Sequence, residues 1–264
     1  MNPELKREYD SLWQNCRVDE KNLPYITWGT NICIANKNRY EEIANKAMCP
    51  WYLVGILHCV ESKFDFNSHF YNGDPLTART VNFPEGRPKD GFPPFTWEQS
   101  AFSALREYGS GNIIVWDIAH VLHFCENFDR FNYREGYGRE TTPAYRSPYL
   151  WSMTNNYQKG RFHESGNFDP NGVYSTVGVA AILKMIESRG MLPTEEEVST
   201  SSFFEPSKRP TLQNQVLQLD YHLRLLVKNG EFAKWLKENY ESLPVTARKE
   251  LTQCENLIKA MPSM

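Results

Sequence analysis

The densest apolar run in the chain is Trp51–Val60, WYLVGILHCV, which carries no acidic or basic charge. A run that is apolar on every face describes a helix buried on all sides. It is too short to cross a bilayer, which takes about 20 such residues. Pro50 suits the first turn of this helix, so the element is expected from about Pro50 to Glu61. Upstream, residues 3–15 read as an amphipathic helix with Leu5, Tyr9, Leu12 and Trp13 on one face. Residues 22–36 break into short apolar pieces, LPYITW and ICIA, with turn signals at Gly29 and Asn31. They are expected to be an extended or irregular entry segment. Residues 38–48 form a second helical pattern.

Beyond Glu61 the periodicity fades. Residues 62–95 contain NGDP and FPEGRPKDGFPPF, strong turn and loop signals. Thr96 followed by Gln99 is a capping box that opens a helix to about Tyr108. GSGN ends it, and 113–128 reads as the next helix. Residues 129–148 form a long loop rich in Gly, Tyr and Arg; loops of that length inside a domain are usually functional or disordered, and the aromatics argue against disorder. Ser147-Pro148 starts a helix expected to reach about Tyr157, and 173–189 has another apolar face. A polar Ser/Pro-rich stretch, 193–209, reads as a linker. Helical patterns follow at 210–228, 231–241 and 245–260. The expected architecture is mainly α. Its parts are an entry segment (1–37), a main domain (38–192), a linker (193–209) and a helical appendage (210–264).

Charge and composition narrow the partners. With 29 basic and 32 acidic residues the net charge is −3. No basic stripe or block is present, so nucleic acid is not an expected partner. Aromatic residues make up 14% of the chain, part of them in polar, turn-rich segments, as in sugar clefts where rings stack on pyranose faces. Six cysteines are scattered without a CxxC pair, which reads as free thiols in a reducing compartment. MNPELKREYDSLW has no apolar signal core, and no run is long enough to span a membrane.

Glu61 is the first charge after the buried run. A carboxylate carried to a cleft floor by a buried helix loses hydration, which raises its pKa and suits it to general-acid work. Asp74, Thr77 and Thr80 follow in the turn-rich segment. One helix also carries Asp117, His120, His123 and Cys125. A zinc site wants His at i and i+4 with a further ligand, or paired cysteines, so this set reads as packing and no metal is expected.

A hydrophobic helix ending in Glu61-Ser62, then an aromatic and an Asn, resembles the lysozyme-like superfamily of lytic transglycosylases and goose- and phage-type lysozymes. Two longer blocks resemble bacterial and phage lysozyme-like proteins: ESKFDFNSHFYNGDPLTARTVNFPEGRPKDGFPPFTWEQSA and FNYREGYGRETTPAYRSPYLWSMTNNYQKGRF. The resemblance covers roughly residues 40–190. It implies a lysozyme-like fold with long aromatic-rich loops, no cofactor, and cleavage of the β-1,4 bond between N-acetylmuramic acid and N-acetylglucosamine. Glu61 would be the acid. Asp74 and Thr80 show the five-residue gap of the phage type and would hold a water, although the Glu-to-Asp gap is longer than in that type. A lytic transglycosylase would instead use Glu61 alone. His69, Tyr71, Thr77, Tyr133, Tyr137, Trp151 and Asn155 are the expected substrate contacts. Chitin or chitosan cleavage is an alternative, as is a non-catalytic glycan-binding or structural part of a phage or tail-like particle. Without a signal core, the expectation is synthesis in the cytoplasm and delivery to the cell wall by a phage-type release or an injection device.

Overall fold

A computed structural model describes residues 1–129, 131, 133–134, 145–163, 166–194 and 198. The chain divides into two units, Met1–Ser207 and Lys208–Met264. The expected appendage and Cys254 lie outside the described residues. The first unit takes in both the entry segment and the main domain, and it is mainly helical.

Helix α1 (Pro3–Gln14) is capped by Asn2, whose side chain accepts from Leu5 N, and buries Tyr9 and Trp13. Helix α2 (Leu23–Ala35) replaces the extended segment expected there. It lies against α4 (Trp51–Ser62) and α8 (Val179–Ser188). Gly29, read as a turn signal, sits inside the helix. A Cβ there would make only ordinary contacts, with Ile182, Cys59 and Phe64 at 3.7–3.9 Å. Tertiary burial of Ile26, Gly29, Thr30 and Cys33 outweighs the weak local preference.

Helix α3 (Lys37–Ala47) packs along α4, which buries nine of its twelve residues. At the other end of α4 the chain enters left-handed backbone at Lys63 and Phe64. Their amides fold back to the carbonyls of Cys59 and His58, each at 3.1 Å, which closes the helix just past Glu61. The capping box expected at Thr96 and Gln99 forms and opens α5 (Trp97–Glu107). Helix α6 (Ile118–Phe128) starts five residues later than the pattern from Ile113, because the Asp117 side chain caps it through His120 N. Helix α7 is a single turn, Pro148–Trp151, shorter than expected. A two-stranded antiparallel sheet, β1 (Arg161–Phe162) with β2 (Phe168–Asp169), had no signal in the sequence pattern.

The core joins α1, α2, α4, α5, α6 and α8 through Tyr9, Ile26, Leu53, Trp97, Leu122 and Ile182, all buried. His58 is embedded in it, 4.5 Å from the Phe66 ring and 4.7 Å from the Trp97 ring. Burial lowers its pKa to about 4, so it stays neutral. Cys16, Cys33, Cys49, Cys59 and Cys125 are free and buried. No helix among the described residues is long and apolar enough to cross a membrane.

Candidate active site

Glu61 stands on the last turn of α4, half-buried, at a cavity of about 280 Å³. That is near the lower end of small-molecule sites, roughly 300–1,000 Å³. Desolvation pushes its carboxyl up to about 8. The Tyr149 hydroxyl donates to Oε1 at 2.6 Å and opposes the rise, while the charge of Asp129 adds to it. The balance leaves a carboxylic acid that is mostly protonated at pH 7. Such a group can give a proton to a leaving oxygen.

Aromatic rings wall the cavity. Tyr108 and Phe128 stand on one side, 4.3 Å between centroids. Phe131 stacks on Phe162 at 5.5 Å, and Tyr133 leans on Phe162 at 5.0 Å. The Tyr133 hydroxyl accepts from Phe162 N at 3.1 Å, tying the segment after α6 to β1. Phe83 lines the mouth and is 57% exposed. The polar lining includes Asp129, at the C-terminal end of α6, and Arg161 on β1. Asp129 Oδ1 accepts from Phe131 N at 3.2 Å.

Of the sequence candidates, Glu61, Tyr71 and Tyr133 line this cavity. Tyr71 shares its hydroxyl hydrogen bonds with Ser103 at 2.9 Å and Glu107 at 3.1 Å. Tyr137 lies outside the described residues. The others serve elsewhere. Asp74 does not line the cavity. Its carboxylate accepts from Val81 N (2.8 Å), Asn82 N (2.9 Å), Asn82 Nδ2 (2.6 Å) and Asn72 Nδ2 (3.2 Å). Thr80 is likewise consumed: its hydroxyl donates to the Pro84 carbonyl and accepts from Arg87 N. The five-residue spacing therefore builds a loop instead of a water site. Both ring nitrogens of His69 are engaged, by Ser100 Oγ and the Ala78 carbonyl. Thr77 is exposed and outside the lining. Trp151 is buried in the core. Asn155 staples its segment to the end of α1, accepting from Arg17 N at 2.7 Å and donating to the Asn15 carbonyl at 3.0 Å. Asp117 and His120 pair with one another at 2.7 Å, and no cluster able to hold a metal occurs among the described residues.

Sequence reasoning missed Asp129, Tyr149, Arg161 and Tyr174. Only Asp129 carried a hint, as an acid directly after an apolar helical run. The loop held by Asp74 ends in Phe83 and Pro84, which line the cavity, so Asp74 acts on the site at one remove. Burial opposes its ionisation, but the four donors outweigh it and hold its pKa below the usual carboxylate range. Its stabilising contribution is present above the ordinary carboxylate pKa and is lost as pH falls through the lowered one. Asp74→Ala is expected to lower Tm by about 3–10 °C, from charged hydrogen bonds worth roughly 1.5–3 kcal/mol. It should raise KM more than it lowers kcat. A collapse of kcat at unchanged KM and Tm would return Asp74 to the chemistry.

No protein-family model, curated protein or solved structure matches the chain.

Proposed function

We propose that the chain is a lysozyme-like glycosidase that cleaves the β-1,4 bond of peptidoglycan, with Glu61 as general acid. The observation that carries this reading is a carboxyl held neutral near pH 7 on the wall of an aromatic-lined cavity. Rings such as Phe83 and Phe131, which line the cavity and keep some exposure, offer faces for pyranose stacking. In the proposed step Glu61 passes its proton to the glycosidic oxygen as the C1–O bond breaks through an oxocarbenium-like transition state. Among the described residues Asp129, not Asp74, is the second carboxylate lining the cavity, and in this reading it supplies negative charge to that transition state. In hydrolysis it also takes the proton of the water that adds to C1. If the muramyl 6-hydroxyl attacks instead, ionised Glu61 takes that proton and an anhydro sugar leaves.

Mass spectrometry of purified peptidoglycan after digestion separates these outcomes. Reducing-end muramic acid is expected if Asp129 activates water; anhydromuramic ends would reassign Asp129 to charge stabilisation. Intact glycan strands after prolonged digestion would sink the muramidase reading. Turnover of chitin or chitosan instead would move the substrate while keeping the acid.

A further inference from the structure

Among the described residues that line the cavity, Arg161 is the one with a permanent positive charge, and the proposed cleavage chemistry does not use it. Its guanidinium has no hydrogen-bond or ion-pair partner among the described residues. Other half-buried arginines are committed. Arg87 pairs with Glu107 at 2.7 Å, Arg134 with Glu8 and Glu126, and Arg79 donates to the Gly91 carbonyl. Arg161 is nevertheless held in place. Its backbone is in register with Asp169 across the sheet. Its aliphatic stem lies on Gly172, where an added Cβ would collide with Arg161 Cγ and come within 3.0 Å of Cδ. Gly172 is itself fixed, accepting from Gly160 N at 2.9 Å and donating to the Asp169 carbonyl at 3.1 Å.

A positioned cation in a cavity chooses among ligands. A neutral amino-sugar seated there would strip water from the guanidinium and offer no charge in return, which is costly. A ligand with a carboxylate would meet the planar fork in the geometry it favours. We infer that Arg161 is a specificity residue that pairs with a carboxylate on the 3-O substituent of a muramyl residue, so that the cavity selects acidic glycans over neutral chitin-type polymers. This rests on the glycosidase reading and refines its substrate. The carboxylate has two chemical sources: the free lactyl group of peptide-stripped strands, or the stem peptide where the lactyl group is amidated.

The test measures kcat/KM on three oligosaccharides of equal length: a peptide-bearing muramyl glycan, a peptide-stripped one, and a chitooligosaccharide. Wild type is expected to prefer at least one anionic glycan by roughly 10–100-fold, the range of a charge-assisted hydrogen bond. Preference for the stripped glycan alone assigns the lactyl carboxylate, and preference for the peptide-bearing glycan alone assigns the stem peptide. In Arg161→Gln the ratio of anionic to neutral kcat/KM should fall towards one. Gly172→Ala, which displaces the arginine stem without removing the charge, should lower the same ratio. A wild type without preference, or a preference that survives Arg161→Gln, overturns the inference even if cleavage is robust. Failure to cleave any of the three defeats the glycosidase reading instead. Calorimetric titration of the same saccharides into wild type and Arg161→Gln then still reads the preference as a ratio of Kd values.

Discussion

Glu61→Gln is expected to fold and to lose turnover by roughly 10²–10⁴-fold, the usual share of a general acid. The amide keeps the shape of the carboxyl, and its oxygen can still accept from Tyr149, which now sits at 2.6 Å. What it lacks is a proton to give. Wild-type kcat/KM should therefore fall on an alkaline limb near pH 8, where Glu61 ionises. Stability carries the opposite signature. The folded pKa of Glu61 lies above its unfolded value near 4.5, so its contribution is fully present below that pH and is lost as pH rises through about 8. The Gln variant is spared this loss and should melt above wild type at pH 9, with the gap closing towards pH 4. Turnover within tenfold of wild type would rule out Glu61 as the proton donor. An inactive Gln variant beside a wild type with no limb near 8 would keep Glu61 essential but in another role.

Gly178→Ala should be the most damaging single methyl in the unit. Gly178 caps α8 and donates to the Ser152 carbonyl at 3.2 Å. A Cβ would lie 2.6 Å from Leu150 O, 2.6 Å from Ser152 N and 2.7 Å from Ser152 O. All three are backbone atoms, so no rotamer change relieves the clash, and the chain just after Tyr149 must move. The expected cost is about 3 kcal/mol, or roughly 6–12 °C in Tm for a unit of this size. Because Tyr149 is the hydroxyl that holds Glu61, activity should drop even at temperatures where the variant is folded. Gly29→Ala is the control. Its Cβ enters ordinary contact inside α2, and replacing a helical glycine should hold or raise Tm. Equal melting of the two variants would show that α8 and α7 are less tightly apposed than the structure has them.

Local pattern and tertiary arrangement divide the protein between them. The uncharged run of α4 announced a buried helix and delivered Glu61 at its end, because burial on every face is written in composition. The Thr96 cap was equally legible, since a capping box is satisfied within four residues. The entry segment was not. LPYITW and ICIA are poor helix formers in isolation, and α2 exists because α4 and α8 bury it. The spacing of Asp74 and Thr80 named the right residue types but not their task, which is to hold the loop that ends in Phe83. The remainder of the site is assembled only in three dimensions. Tyr149 meets Glu61 across 88 residues, Asp129 arrives from the end of α6, and Arg161 from a sheet of two-residue strands. No local periodicity encodes such meetings. They follow from how the helices pack, and that packing turns a charge at a helix end into an acid with a pKa near 8.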